Sequence, residues 1–232
     1  MSKKRVLIKI SGELFKSDQA ALDLAKANEI AVQIKKIYND YNLGIVFGGG
    51  NIFRGRNVEN IKVNMATAHM IGTVSSLPNG IALKSILDAI EIPSRIISAF
   101  SAPDVVGVPN KFDVDKYFNL NEVLIFVGGT GLPFFTHDTA AVVRALEIRA
   151  EFLLKATNVK GIYDSDPKIN PGANKFDQIS YNDFLSLKGA SILDRSAVVL
   201  AEENKLPIYV FKWQTGCLRK AVKLKAGGTL IQ

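Results

Sequence analysis

The sequence is poor in the residues and patterns on which several protein classes depend. Cys217 is the only cysteine among 232 residues, and there are two histidines, so the chain cannot form an internal disulfide and offers no cluster of Cys and His zinc ligands. No run approaches the ~18 apolar residues of a membrane-spanning helix. The apolar run behind the basic start MSKKR is too short for a signal peptide. These absences predict a cytoplasmic protein with no membrane partner.

The sequence also lacks the motifs of several nucleotide-binding and hydrolytic enzymes. It has no G-x-G-x-x-G dinucleotide fingerprint and no G-x-S-x-G nucleophile elbow. In VFGGGNIFRGRN (46–57), Gly50 and Gly55 have P-loop spacing, but Arg56 and Asn57 occupy the positions of the P-loop Lys and Ser/Thr. The stretch therefore indicates either another kind of phosphate site or a tight turn.

Acidic residues are scarce toward the carboxyl terminus. The net charge is +7, from 29 basic and 22 acidic residues, and no acidic residue follows Glu203. A basic chain often binds nucleic acid or small phosphates. However, Trp213 is the only aromatic residue beyond Lys212, whereas a platform for single-stranded nucleic acid needs several stacking aromatics. We predict a solvated basic face and no nucleic-acid partner.

Apolar runs of strand length alternate with segments of helical periodicity. Because the strands are continuously apolar, we expect a mainly parallel sheet covered by helices on both faces. The predicted fold is α/β, a three-layer αβα sandwich with a central mainly parallel sheet, in one domain over 1–232. Turns or a short hairpin are expected at about 160–182. The predicted strands are 5–10, 43–47, 94–100, 122–127, 151–156 and 206–211, and the predicted helices are about 22–38, 64–90 with a break near Pro78, 137–149 and 193–204.

Three of the predicted strands end in small, flexible residues. These are Ser11-Gly12 after the first strand, Gly48-Gly49-Gly50 after the second, and Gly128-Gly129-Thr130-Gly131 after the fourth. Glycine lets backbone N–H groups approach an anion closely, and ligands of open α/β sheets bind beyond the carboxyl ends of the strands. A single glycine turn is most often only a turn, but three at one edge favour a nucleotide or phosphate site.

Four charged side chains are expected to converge on these turns: Lys9, Arg54, Asp138 and Asp166. Cations beside glycine turns, with carboxylates on other turns, suit phosphoryl transfer, which depends on positioning and charge neutralisation. Lys9 interrupts an apolar strand, and the alternative interpretation is an edge strand with this lysine in solvent.

Five segments together resemble bacterial-type UMP kinases of the amino acid kinase superfamily. They are KISGE (9–13), GGGNIFRG (48–55), GGTGLPFFTHDTAA (128–141), LLKATNVKGIYDSDP (153–167) and KLPIYVF (205–211). Carbamate kinases, aspartokinases and acetylglutamate kinases share the fold but not the GTGLPFFT stretch. The resemblance covers nearly the whole chain. It implies the amino acid kinase fold, with a nucleoside monophosphate part at roughly 1–150 and an ATP part at roughly 151–232.

The resemblance also implies an activity. This is transfer of the γ-phosphoryl group of MgATP to UMP, giving UDP and ADP in pyrimidine nucleotide biosynthesis. Mg²⁺ would be held mainly by the ATP phosphates, with no protein metal site, and the chain would form a homohexamer. The alternatives are a superfamily kinase acting on a small acid, such as carbamate or an amino acid, and a non-catalytic nucleotide-binding protein on this fold.

The resemblance implies three sets of site residues. The catalytic set is Lys9, Asp138 and Arg54, with Lys9 stabilising transition-state charge and Asp138 orienting it. Asp194 would lie near ATP or, on the simpler interpretation, cap a helix. The ATP contacts would be Lys9, Ile10, Ser11, Gly12, Gly50, Arg54, Thr157, Asn158, Tyr163 and Asp166. The UMP contacts would be Gly49, His69, Thr130, Gly131, Leu132, Pro133, Phe134, Phe135, Thr136 and His137.

One position departs from the family pattern. The family usually has an aspartate, held to bind the UMP ribose, where this chain has His69 in AHMIGTV. A carboxylate can accept from both ribose hydroxyls, whereas a neutral imidazole has one acceptor and one donor. We expect His69 either to bond one hydroxyl or to leave this task to another group.

Overall fold

One sheet forms the centre of the molecule. The computed structural model describes residues 3–54, 62–106, 113–167, 169–187 and 192–232. Within these ranges the strands are β1 (Lys4–Ile10), β2 (Tyr41–Phe47), β3 (Ser94–Ser98), β4 (Val123–Val127), β5 (Phe152–Thr157), β6 (Gln178–Ile179), β7 (Ile208–Lys212) and β8 (Thr229–Ile231). Their order across the sheet is β3-β4-β2-β1-β5-β7-β8-β6. Among the strands of the described residues, β7 and β8 alone pair antiparallel, so the predicted mainly parallel sheet is confirmed.

Helices cover both faces of this sheet. In the described ranges they are α1 (Leu24–Lys35), α2 (Met65–Val74), α3 (Ser76–Ala89), α4 (Pro103–Val106), α5 (Val114–Asn119), α6 (His137–Glu147), α7 (Tyr181–Ser186), α8 (Arg195–Glu203) and α9 (Leu218–Ala221). Alternate residues of β1 face opposite layers. Val6, Ile8 and Ile10 lie in one core with α1, α3 and α9, whereas Leu7 lies in the other core with α6 and α8. The predicted three-layer sandwich is therefore confirmed.

The structure corrects the predicted course of the chain. The break predicted near Pro78 within 64–90 lies three residues earlier, at Ser75, between α2 and α3. Pro78 lies in the first turn of α3, where a backbone N–H would have no helical acceptor. The sequence prediction lacks β6, β8, α4, α5, α7 and α9, because elements of two to six residues are too short to show a period.

The expected turns at 160–182 contain an antiparallel bridge between Tyr163 and Lys175. A search of the described residues for a helix long and apolar enough to cross a bilayer finds none.

Candidate active site

The turns that follow β1 and β2 line one cavity at the carboxyl edge of the sheet. The cavity has a volume of about 350 Å³. One face of α2 and the start of α6 complete its walls. Among its lining residues are the predicted site residues Lys9, Ser11, Gly12, Gly49, Gly50, Arg54, His69, Phe135, Thr136, His137 and Asp138, together with Glu13 and Asp194.

Two glycines in the turns after β1 and β2 are packed so closely that a side chain would not fit. A Cβ on Gly49 would lie 2.6 Å from the carbonyl oxygen of Gly72 on α2, and a Cβ on Gly12 would lie 2.4 Å from that of Gly48. Gly50 has more room, since the nearest atom to its Cβ would be 3.6 Å away. Gly12 and Gly49 therefore allow backbone segments to meet, while Gly50 leaves its backbone open to the cavity.

A buried pair of asparagines fixes the turn after β2 to α3. Asn51 and Asn79 exchange two side-chain hydrogen bonds of 2.9 Å each. Asn79 also donates to the carbonyl oxygen of Gly48 at 3.0 Å, and Asn51 donates to that of Ala21 at 2.8 Å. Buried amides are costly unless they are satisfied, so this network holds the turn in one place. Neither asparagine was among the predicted site residues.

Lys9 and Lys155 are paired in register on the neighbouring central strands β1 and β5. The alternative that placed Lys9 in solvent on an edge strand is wrong, because its side chain is only 12% exposed. Asp138, in the first turn of α6, lies between the two lysines. Its Oδ1 is 2.9 Å from Lys9 Nζ, and its Oδ2 is 2.5 Å from Lys155 Nζ. One carboxylate therefore bridges two ammonium groups.

Lys155 was not among the predicted site residues, although the sequence contains a signal for it. Lys155 interrupts the apolar strand FLLKAT in the same way that Lys9 interrupts RVLIKI. Its side chain is 6% exposed, and a lysine is almost never that buried unless it is paired. A lysine in each of two apolar strands was therefore a reason to look for one shared carboxylate.

Burial and the two lysines set the charge of Asp138. Burial alone would raise its pKa, but Lys155 and Lys9 more than offset that effect and hold the pKa well below its ordinary value. For Lys155, burial lowers the pKa to about 8, against the raising effect of Asp138. At neutral pH the three groups therefore carry two positive charges and one negative charge. These three side chains, here called the cavity floor, therefore sum to one positive charge.

His137, next to Asp138, is neutral at physiological pH. Burial and then the nearby charge of Lys9 lower its pKa to about 4, although Asp138 acts in the opposite direction. Its Nε2 atom is buried and makes no hydrogen bond to any described residue. The imidazole therefore offers an unused polar atom at the cavity wall without adding charge.

Arg54 lies at the mouth of the cavity. Its Nη2 is 2.7 Å from Glu13 Oε1, and its Nε donates to the carbonyl oxygen of Gly50 at 3.3 Å. The Arg54 side chain is 52% exposed, and such surface pairs contribute little to stability. The guanidinium can therefore exchange Glu13 for a phosphate at small cost. Gly55, Arg56 and Asn57, which suggested P-loop spacing, lie outside the described residues.

The segment after β4 contacts α2 at His69. Phe134 has a φ of +69°, which is rare for a residue with a side chain. Its N–H donates to His69 Nδ1 at 2.6 Å, and the two rings meet edge to face with centroids 5.0 Å apart. Because Nδ1 is the acceptor, the proton of the neutral ring is assigned to Nε2. His69 therefore keeps a donor, and no acceptor, for a ligand.

Asp194 joins the start of α8 to the start of α6. It occupies the N-cap position of α8, but its side chain makes no capping hydrogen bond, so the capping interpretation is wrong for the side chain. Its Oδ2 instead accepts from the hydroxyl of Thr136. Thr136 in turn caps α6 by accepting from the backbone N–H of Asp138 at 3.0 Å. This chain of contacts fixes the backbone that carries Asp138.

Several predicted site residues do not line this cavity. Thr157 ends β5 and three others follow it in the next loop, while the Ile10 side chain is fully buried in the core. Leu132 and Phe134 are strongly exposed. Their contacts with a nucleotide stay predictions. The residues outside the cavity walls are Ile10, Thr130, Gly131, Leu132, Pro133, Phe134, Thr157, Asn158, Tyr163 and Asp166.

Comparison with known proteins assigns the chain to a family. The amino acid kinase family matches residues 4–212. The chain belongs to the amino acid kinase family. Among the relatives of this amino acid kinase, the uridylate kinase of Brucella suis biovar 1 (strain 1330) is 41% identical over 231 residues, which cover 98% of this chain and 96% of that protein. The uridylate kinase of Rickettsia massiliae (strain Mtu5) is 40% identical, with coverage of 99% and 96%.

Two solved structures match this amino acid kinase closely. The UMP kinase of Ureaplasma parvum has a TM-score of 0.94 at 34% identity, with all of both chains covered. The UMP kinase of Bacillus anthracis has a TM-score of 0.93 at 30% identity, with 100% of this chain and 97% of that chain covered. The resemblance seen in the sequence motifs is thus confirmed over the full fold.

Proposed function

We propose that this amino acid kinase is a UMP kinase, which transfers the γ-phosphoryl group of MgATP to UMP, giving UDP and ADP in pyrimidine nucleotide biosynthesis. One observation carries the proposal. The Lys9–Asp138 pair opens into a cavity bounded by glycine turns, in a chain 41% identical to a uridylate kinase over 98% of its length. A small-acid kinase is not favoured, because the full-length relatives above are uridylate kinases. A non-catalytic protein is not favoured, because Lys9 and Asp138 are both in place.

The proposed chemistry needs charge stabilisation and positioning more than proton transfer. The UMP phosphate is already an anionic nucleophile, so no general base is required. Lys9 would neutralise the charge that develops on the transferred phosphoryl group. Open backbone at Gly50 would contact phosphate oxygens through its N–H group. Arg54 would add a cation at the mouth of the cavity.

In this proposal the two nucleotides contact different parts of the chain. UMP would contact Gly49, His69 and the segment 130–137. These residues belong to the nucleoside monophosphate part of the chain, at roughly 1–150. The ATP base and ribose would contact residues 157–166, in the part from 151 to 232. Mg²⁺ would enter as part of MgATP. A homohexamer, which rests on the resemblance alone, and a cytoplasmic location, which the sequence predicts, are further elements of the proposal.

The direct test is a coupled assay with MgATP against UMP, CMP, dUMP and carbamate. We expect turnover of UMP to exceed that of every other acceptor by at least about tenfold in kcat/KM, since a site built to bond a substrate group rejects analogues that lack it. Turnover of carbamate without UMP would contradict the proposal in favour of a small-acid kinase. Nucleotide binding without turnover of any acceptor would favour the non-catalytic alternative.

His69→Ala is expected to raise the KM for UMP about twofold to tenfold and the KM for ATP much less. The substitution removes the acceptor for the Phe134 N–H and the Nε2–H donor, and one hydrogen bond contributes about 0.5–1.5 kcal/mol. Steady-state kinetics with each nucleotide varied in turn would measure the two KM values.

His69→Asn is the matched control. Its amide oxygen can accept from the Phe134 N–H and its NH₂ group can donate, as the neutral imidazole does. We expect its KM for UMP to lie closer to that of the wild type than to that of His69→Ala. Unchanged UMP kinetics in His69→Ala would remove this residue from the UMP site.

A further inference from the structure

We propose that Lys155 is a positioning residue for phosphoryl transfer, which holds Asp138 so that Lys9 is presented to the transferred phosphoryl group. This inference rests on the proposed kinase function. Lys155 does not line the cavity, whereas Lys9 and Asp138 do. It therefore acts through the carboxylate and not on the substrate.

The geometry gives the two lysines different tasks. Asp138 Oδ2 is 2.5 Å from Lys155 Nζ, and Oδ1 is 2.9 Å from Lys9 Nζ. With only Lys9 as partner, the carboxylate could rotate and draw the ammonium group away from the cavity. Because Lys155 holds Oδ2, the carboxylate cannot rotate freely. Its Oδ1 then keeps one orientation, and Lys9 stays at the cavity floor.

Lys155 also sets the charge of the group. A single buried ion pair of Lys9 and Asp138 would be neutral, and much of the lysine's field would be cancelled at the phosphates. The second ammonium leaves the three side chains with a net positive charge, close to where negative charge develops. Lys155 therefore fixes the orientation of the Asp138 carboxylate and also adds positive charge.

The position of Lys155 in the fold supports a dedicated role. It lies in register with Lys9 on the next strand, under the first turn of α6, and is nearly fully buried. Within the described residues, the charged groups that act on it are Asp138 on α6, Lys9 on β1 and Asp194 at the start of α8. A buried cation that served packing alone would be replaceable by an apolar side chain of similar length.

Lys155→Met tests the proposal. Its length is similar and its charge is absent, and Asp138 keeps Lys9 as a partner, so we expect the fold and the Tm to be retained. We expect kcat to fall about tenfold to a hundredfold, with both nucleotide KM values within about threefold of wild type. Lys155→Arg, which keeps the charge, should recover part of kcat. Lys26→Met, at an exposed lysine paired with Glu29 on α1, is the control and should match the wild type.

The pH profile distinguishes positioning from packing. Because the Lys155 pKa is lowered to about 8, wild-type kcat should decline as pH rises through that region. Lys155→Met should lack this decline, and Lys155→Arg should move it to higher pH. A wild-type kcat and pH profile in Lys155→Met would overturn the proposal. So would a kcat loss in the same variant that tracks only loss of folded protein.

A substrate-independent measurement separates this inference from the proposed function. In ¹³C-lysine NMR of the ligand-free protein, we expect one lysine Cε resonance to titrate well below the ordinary range and to be absent from Lys155→Met. The Lys9 resonance should shift in the same variant. If the wild type fails to phosphorylate UMP but these signals are present, the proposed function fails and the coupling of Lys155 to Lys9 stands. If UMP is turned over but the signals are absent, the coupling fails alone.

Discussion

Lys9→Met is expected to lower kcat at least about a hundredfold, with little change in the Tm. The expected loss follows from removing one preorganised cation, which typically costs about 3 kcal/mol of transition-state stabilisation. The fold should survive because Asp138 keeps Lys155 at 2.5 Å, so no buried carboxylate is left unpaired. Steady-state kinetics with MgATP and UMP, together with a thermal melt, would measure both quantities.

The control for Lys9→Met is the same substitution at an exposed lysine. Lys26→Met on α1, which removes an exposed surface pair, should leave kcat within about twofold of wild type, because such pairs contribute little. A Lys9→Met protein with the kcat of the wild type would show that another group stabilises the transition state. Arg54 would then be the next candidate.

Asp138→Asn is expected to lower both activity and stability. The change leaves two lysines close together and nearly buried, with no anion between them, and breaking a buried ion pair typically costs about 3–5 kcal/mol. For a chain of this size, that corresponds to a fall in Tm of roughly 6–20 °C. We expect kcat to fall about a hundredfold or more, since Lys9 loses its orienting partner.

The stability loss in Asp138→Asn should depend on pH in a defined direction. In the wild type Asp138 opposes the effect of burial on Lys155, whose pKa is about 8, so without this carboxylate the folded-state pKa of Lys155 should be lower still. Between the folded-state pKa and the ordinary lysine value near 10.4 the unfolded chain binds more protons, so the free energy of unfolding rises with pH, and it rises over a wider range in the variant. The deficit relative to wild type should therefore be smaller at pH 9.5 than at pH 7. Thermal melts at the two pH values would measure it.

A double variant distinguishes the two effects of Asp138→Asn, which are repulsion between the lysines and loss of catalytic activity. Asp138→Asn combined with Lys155→Met removes one of the two unpaired cations, so it should recover part of the lost Tm. It should not recover kcat, because Lys9 still lacks the carboxylate that orients it. Recovery of both would indicate that Asp138 acts only on stability.

The sequence was informative wherever function depends on residue type at one position. Lys9 in an apolar strand predicted a buried functional cation. Three glycine turns were predicted at one edge of the sheet, and those after β1 and β2 line the cavity, whereas the turn after β4 does not. Asp138 was identified through the GGTGLPFFTHDTAA motif. These features are local, because a lysine between isoleucines or three consecutive glycines can be interpreted without knowing the fold.

Other parts of the site required the fold. The Asn51–Asn79 pair joins residues 28 positions apart, and nothing in the intervening sequence links them. His69 offers a ligand only a donor because its Nδ1 already accepts from the N–H of Phe134, which is 65 positions away. The side chain of Asp194 could serve as a cap on sequence grounds, but it bonds Thr136 on another helix. None of these contacts could be predicted from the sequence, because contact between distant residues depends on how the layers pack.

By itself the sequence determined the α/β class, the mainly parallel sheet and the glycine turns at its carboxyl edge, because strand hydrophobicity and glycine geometry act over a few residues. Only the tertiary structure decided that Lys155 stands in register with Lys9 and that Asp138 bridges them. That arrangement depends on which strands become neighbours and on where α6 begins above them. The distances within it, and hence the charge of the cavity floor, arise from packing between β1, β5 and α6.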